Sequence, residues 1–394
     1  MSAVKTKVSF ENTQIAFSYK SIGELKKAAW LFSLINQNWL VKIGTKLTPL
    51  AFSLRLPIKP LVRATIYNQF CGGESLEACA PATQRLAVHN VETILDYGVE
   101  AKESDDEFDK TTAEIIKAIT FAKANQHIPF VSVKITGIAA FGLLEKLHAK
   151  EKLSDGDLLA FNLVKGRMHR LCNTALEAGI GVMIDAEETW IQGPIDELAM
   201  EMMRLYNKES AIVYNTVQLY RINRLDYLKS SFTEATDKDF ILGVKLVRGA
   251  YMEKERRRAI DKNHLSPIQP DKESTDRDYN DAVRFCIDHI EKISCCVASH
   301  NEKSSMLAVE LADEKSLPAA HPHLHFSQLY GMSDNITFNL AHAGYNVSKY
   351  LPYGPVKDVV PYLMRRAQEN TSVAGQSSRE LLLLKKELKR RGNE

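Results

Sequence analysis

Eight apolar, β-branched runs recur along this chain, and each is followed by a longer amphipathic segment. They are Thr93 to Val99, Phe130 to Ile135, Ile180 to Ala186, Ile212 to Leu219, Phe240 to Val247, Ser294 to Ser299, His323 to Leu329, and Tyr345 to Leu351. Strand-length runs alternating with helix-length segments predict βαβ units on a parallel sheet. Eight such units over about 280 residues suit a (β/α)8 barrel, whose usual size is about 250. Many runs end in polar residues: Glu100, Lys134, Asp185, Gln218, Arg248, Ser299-His300 and Tyr350. In a barrel of this class the C-terminal strand ends carry the active site.

This reading divides the chain into a helical arm (1–90), an α/β barrel (91–372) and a basic tail helix (373–394). In the arm, Ser21 to Ile43 and Leu76 to His89 read as helices, separated by Pro49, Pro57 and Pro60. Trp30, Leu31, Leu34, Trp39 and Leu40 form either a membrane-facing stripe or a surface packed on the barrel. Residues 102–112, acidic, and 253–278, charged, follow the first and fifth runs, where barrels build lids. The tail, Leu381 to Arg391, is basic and amphipathic, and reads as a docked terminal helix or a membrane contact.

A net charge of +2 gives the chain as a whole no electrostatic appetite for nucleic acid. The six cysteines show no paired spacing, which fits small buried thiols in a reducing compartment. The N-terminus lacks a signal-peptide core, and no apolar run reaches the roughly 20 residues needed to span a bilayer. A cytoplasmic protein is expected, peripheral on an inner membrane at most, and mitochondrial if the source is eukaryotic.

Near the C-terminus, Tyr362, Arg365, Arg366 and Glu369 fall on one face if that segment is helical. Adjacent guanidinium forks suit a carboxylate. The bland alternative is an exposed helix with Arg365 paired to Glu369. Lys134 stands in an otherwise apolar strand, so it is buried and paired or it faces a site, with Asp185 as candidate partner. In the run Lys245 to Tyr251, Gly249 and Ala250 leave room for a flat ligand or a phosphate to approach the backbone. No Rossmann or P-loop fingerprint occurs. His321-Pro-His-Leu-His325 resembles a metal site but lacks an acidic partner at ligand spacing, so rim histidines in hydrogen bonds are expected, and no metal. His300 is a structural or a ligand-binding histidine with equal warrant.

Taken together, these motifs resemble the proline dehydrogenase family over roughly residues 90–372. The matching stretches are Val-Ser-Val-Lys134, Ile-Asp185-Ala-Glu-Glu, Val-Gln218-Leu-Tyr, Lys245-Leu-Val-Arg248-Gly-Ala-Tyr251, Ser-Thr275-Asp-Arg-Asp-Tyr279-Asn, Ala-Ser299-His-Asn, Tyr350-Leu-Pro-Tyr-Gly and Tyr362-Leu-Met-Arg365-Arg366-Ala-Gln-Glu369-Asn. They stand in the family's order. Many bacterial relatives carry Arg where this chain has Lys245, and Lys where it has Arg248.

The resemblance implies a distorted TIM-like barrel that binds FAD and oxidises L-proline to 1-pyrroline-5-carboxylate by hydride transfer, with electrons passed to a quinone. It implies that Arg365, Arg366 and Lys134 hold the substrate carboxylate. Glu369 would orient the guanidiniums or meet the proline nitrogen. Leu246, Tyr251, Tyr350 and Tyr362 would wall the ring, with Tyr350 crowding a ring hydroxyl. Gln218, Lys245, Arg248, Gly249, Ala250, Ser299 and His300 match flavin-contacting positions, with Asp185 and Ala186 beside the flavin. Asp185 and Lys245 are therefore the expected catalytic pair, and Glu100 an expected gate over Arg365. No second catalytic domain is expected after the barrel, so a separate pyrroline-5-carboxylate dehydrogenase would take the product. Competing readings are another flavin barrel, such as a methylenetetrahydrofolate reductase-like enzyme, and a scaffold that binds membrane or RNA through the tail.

Overall fold

A computed structural model describes residues 8–37, 39, 41, 43–44, 47–48, 54, 56–99, 102–372 and 376–392, without the side chains of 367–372 and 376–378. The strands are β1 (Glu92–Tyr97), β2 (Phe130–Val133), β3 (Gly181–Ile184), β4 (Val213–Gln218), β5 (Leu242–Val247), β6 (Ile293–Ala298), β7 (Leu324–Leu329) and β8 (Val347–Tyr353). Each falls within two residues of an expected run. They close in sequence order into a barrel. Every pairing from β1 to β7 is parallel. The strands are buried along nearly their whole length because both faces of such a sheet are covered.

The principal helices are α1 (Ile22–Ile35), α2 (Leu76–Ala87), α3 (Asp105–Lys123), α4 (Phe141–His148), α5 (Asp155–Ala178), α6 (Thr189–Tyr206), α7 (Arg224–Asp237), α8 (Met252–Asp261), α9 (Lys272–Asp288), α10 (Glu302–Glu314), α11 (Asp334–His342), α12 (Val356–Ser372) and α13 (Gln376–Gly392). Their starts are written locally. Ser21 and Ser154 form reciprocal capping boxes with Glu24 and Asp157, and Ser104 and Asp271 cap α3 and α9. α5 stops at Gly179, whose φ of 68° suits a residue without a Cβ. The acidic and charged insertions thus contain ordered helices, α3 and α8.

The chain forms two compact units: Ile94–Ser327, and Met1–Thr93 with Gln328–Glu394. In the first of these, the register sets Val133 level with Ile184, and the Asp185 N–H donates to the Val133 carbonyl at 2.9 Å. Lys134, the residue after β2, is thereby level with Asp185, the residue after β3. Lys245 pairs in register with Thr216 and Cys296.

In the other unit, one apolar cluster joins Leu25, Leu31 and Phe32 of the arm to Val359 and Leu363 of α12 and to Leu383 and Leu384 of the tail. The predicted aromatic stripe therefore splits. Leu31 is buried, whereas Trp30 and Trp39 are 53% and 61% exposed; Leu40 lies outside the described residues. The tail is docked. Glu380 accepts from the Ser333 N–H at 2.9 Å, and Arg391 donates to the Phe17 and Lys20 carbonyls. Beneath it, Asp334 accepts from Tyr19 Oη and Lys20 Nζ at 2.7 Å each and pairs with Lys349 at 2.9 Å. Burial pushes the Asp334 carboxyl up, but Lys20 and Lys349 hold it well below the usual range. Glu380 goes the other way: burial and the Asp334 charge push it up to about 7. Among the described residues, no helix is long and apolar enough to cross a membrane.

Candidate active site

Four alternating charges meet at the strand ends of the unit Ile94–Ser327. Lys134 Nζ lies 2.9 Å and 3.1 Å from the Asp96 carboxylate oxygens and 3.3 Å from Asp185. Lys245 Nζ donates to the other oxygen of Asp185. The order is Asp96–Lys134–Asp185–Lys245, two anions and two cations in one chain. Isolated charges at this depth would be costly, whereas alternation lets each one stabilise the next. Asp96 is 1% exposed as a side chain and Asp185 13%. The expected Lys134–Asp185 pair is therefore present, but it is the middle of a longer array. Asp96 was not singled out from sequence; its signal was a lone carboxylate inside the apolar run Thr93 to Val99.

The neighbouring residues lock the frame. Gln218 is buried at the end of β4, and its amide donates to the Glu187 carbonyl at 2.9 Å. Glu187 accepts from the Thr136 N–H at 3.0 Å, which ties the turn after β2 to that after β3. Ala186 is half-buried between Asp185 and Glu187, and Leu246 is fully buried on β5.

Arg248 is held on every side of its guanidinium. Nε donates to Asp276 at 2.8 Å, Nη1 to Ser299 at 2.8 Å and Nη2 to Ser304 at 2.9 Å, and the group lies 4.3 Å over the Tyr279 ring. Asp276 is itself partly buried, which raises its pKa, but Lys272 and Arg248 bring it below the ordinary carboxylate value. Asp276 and Ser304 were likewise not assigned roles from sequence. Their signal lay in the quoted Thr275–Tyr279 stretch and in the polar start of α10. His300 is half-buried just before α10, which Asn301 caps.

Gly249 has a structural reason beside any role toward a ligand: a Cβ there would sit 2.3 Å from the Tyr220 ring, and φ is +139°. The glycine is required by Tyr220 and by its own backbone. Ala250 and Tyr251 follow, both half-buried, and lead into α8.

In the other unit, Tyr350 is buried on β8, and its carbonyl accepts from the Tyr330 N–H at 2.9 Å. Tyr362 and Arg366 are buried on α12, with the guanidinium 5.2 Å from the tyrosine ring centroid. Arg366 is only 9% exposed and Arg365 is half-buried, so the reading of an exposed helix is set aside. Glu100 and the side chain of Glu369 lie outside the described residues. The histidine triplet lies at the start of β7. His323 Nδ1 lies 2.7 Å from the Ile290 carbonyl, His321 Nδ1 accepts from the His323 N–H, and no metal-ligand cluster occurs among the described residues. All six cysteines are buried free thiols.

Whether this donor set suits a flavin can be judged from its chemistry. Gln218 and Lys245, both buried, the half-buried Arg248 and the Ser299 hydroxyl offer hydrogen-bond donors and positive charge toward the C-terminal ends of β4, β5 and β6. That combination fits an anionic dinucleotide with a polar ring edge.

Comparisons with known proteins agree on one family. The proline dehydrogenase family model matches residues 79–379. Proline dehydrogenase 1, mitochondrial, of Dictyostelium discoideum is 31% identical over 96% of this chain and 74% of its own length. Hydroxyproline dehydrogenase of Xenopus laevis is also 31% identical, over 95% of this chain and 88% of its own. Among solved structures, proline utilization A of Bdellovibrio bacteriovorus superposes with a TM-score of 0.72 at 20% identity. That match covers 93% of this chain and 37% of the larger protein, and it shows a shared fold.

Proposed function

This chain belongs to the proline dehydrogenase family, and on that premise we propose that it oxidises L-proline to 1-pyrroline-5-carboxylate with FAD and passes the electrons to a quinone. The observation that carries the reading is the buried array Asp96–Lys134–Asp185–Lys245 at the strand ends. A barrel uses that end for chemistry, and a chain of charges this deep is a poor way to gain stability alone.

Each residue then has a task. Lys134, with its ammonium fixed by Asp96 and Asp185, binds the substrate carboxylate, as do Arg365 and Arg366. Asp185 also orients Lys245 toward the cofactor. Arg248, Ser299 and Gln218 are the candidate cofactor contacts, with His300, Gly249, Ala250 and Ala186 beside them. Leu246, Tyr251, Tyr350 and Tyr362 supply apolar and aromatic surface for the ring, Glu369 meets the guanidiniums or the amine, and Glu100 gates the site. FAD bound there supplies the hydride acceptor. The chain's own contribution is placement: charge-assisted bonds fix a small substrate and so remove much of the entropic barrier. A separate pyrroline-5-carboxylate dehydrogenase consumes the product.

Relatives described as mitochondrial support a compartment where a quinone is available. Peripheral contact with that membrane would use the exposed Trp30, Trp39 and the outward lysines of the tail, Lys385 and Lys389. The deciding experiment is optical. The purified protein should be yellow and should bleach when L-proline is added anaerobically; a colourless protein, or a colour that proline leaves unchanged, rejects the reading.

A further inference from the structure

A second cleft, of about 340 Å³, opens within the unit Ile94–Ser327. Its walls come from His148 at the end of α4, Thr189 and Trp190 at the start of α6, Arg221 after β4, Arg258 of α8 and the loop beyond it. None of the Asp96–Lys134–Asp185–Lys245 array lines it, and neither does any carboxylate.

Arg221 carries the argument. Its Nε and Nη1 are buried and reach no hydrogen-bond acceptor among the described residues. The carboxylates whose charge it feels, Asp196 and Glu255, are committed elsewhere. Asp196 is gripped by both Nη atoms of Arg224, at 2.8 Å and 3.1 Å. Glu255 accepts the Thr189 N–H at 2.8 Å and its hydroxyl at 2.7 Å. A guanidinium stays protonated even when burial and a second arginine press on it. Arg221 lines the cleft, so an anion bound there would meet a positive charge that no carboxylate of the lining neutralises.

Two further groups fit the same guest. His148 Nδ1 accepts from the Gly193 N–H at 3.2 Å, so Nε2 carries the proton and is a donor. That contact is built into the backbone, because a Cβ on Gly193 would lie 2.8 Å from the same nitrogen. Trp190 offers a flat wall, backed by the Arg258 guanidinium at 4.2 Å, which Glu145 pins at 2.8 Å.

We propose that this cleft is a binding site for a small oxyanion, the carboxylate or phosphate of a compact metabolite, with Arg221 as its cation, His148 as hydrogen-bond donor and the Arg258–Trp190 stack as its wall. The volume suits a small molecule and not a polymer. The proposal does not rest on the family's reaction.

Calorimetric titration of the full-length protein with inorganic phosphate, and separately with malonate, tests it at constant ionic strength. At least one probe should bind saturably and weaken about tenfold or more in Arg221→Met, as expected for loss of a charge-assisted pair. A smaller loss is expected in His148→Phe. Should Arg221→Met fail to fold, His148→Phe and Arg258→Gln decide the matter in its place. Three results would overturn the proposal: neither probe saturating, affinity unchanged in the folded variants, or competition by added FAD, which would give the cleft to the cofactor. Preference for phosphate or for malonate identifies the class of anion.

Discussion

Lys134 lies nearer to Asp96, at 2.9 Å, than to Asp185, at 3.3 Å. The carboxylate expected to be its partner is therefore shared with Lys245, while a different one, almost without exposure, sets the direction of its ammonium. Asp96 acts through Lys134, so its removal should be felt both in substrate binding and in folding.

Asp96→Asn is expected to raise KM for proline more than it lowers kcat. It should also cost about 1–3 kcal/mol of stability, the penalty for a buried group deprived of its charged partner. A double-mutant cycle with Lys134→Met, read by urea unfolding and by steady-state kinetics, checks the coupling. Strictly additive effects would separate the two residues.

Arg365→Met and Arg366→Met should each raise KM for proline through loss of a charge-assisted bond of about 1.5–3 kcal/mol. Arg366 is buried against Tyr362, so its variant should also lower the thermal midpoint, whereas the half-buried Arg365 should not. Unchanged KM in both would remove them from the carboxylate site.

The rate should rise with pH. The amine of proline must be uncharged for its lone pair to drive hydride departure, so kcat/KM should climb between about pH 6 and 9. A flat or falling profile would contradict the proposed reaction.

Stability should move the opposite way. Glu380 titrates near 7 in the folded protein, against 4.5 for an ordinary glutamate. The folded chain holds this proton more tightly than the unfolded one, so Glu380 favours folding most below its unfolded value. That contribution is lost as pH rises from about 4.5 to 7, by up to about 3 kcal/mol. The charged groups facing it are Lys20, Lys349 and Asp334. Urea unfolding at pH 5 and pH 8 should show a larger drop for the native chain than for Glu380→Gln; equal drops would refute the assignment.

Tyr350→Ser should narrow the preference for proline over hydroxyproline, since a small residue admits a ring hydroxyl. The likeness to a hydroxyproline dehydrogenase makes this comparison informative. Kinetics with both substrates measure it, and an unchanged ratio would relieve Tyr350 of a selective role.

The barrel was legible in the chain because strand and helix periodicity are local properties. The polar residues ending many of the runs were legible for the same reason, and Lys134, Asp185, Gln218 and Arg248 stand at those ends, with Lys245 one turn of the pleat inside β5. Gly249 was legible as a glycine but not as Tyr220's neighbour, since that contact joins the segments after β4 and β5, beyond the reach of any local pattern. Arg221 went unnoticed for a related reason: an arginine in a polar turn is ordinary, and only burial beside committed carboxylates makes it conspicuous.

By itself, then, the order of residues determined the succession of strands and helices, their caps, and the family motifs, because each depends on neighbours within a few positions. Tertiary structure alone decided which carboxylate grips Lys134, that the basic tail is folded against the arm with Glu380 beneath it, and that a cleft without carboxylates surrounds Arg221. Pairings among buried charges depend on distances of a few ångströms between remote segments. Those distances exist only once the chain has closed upon itself.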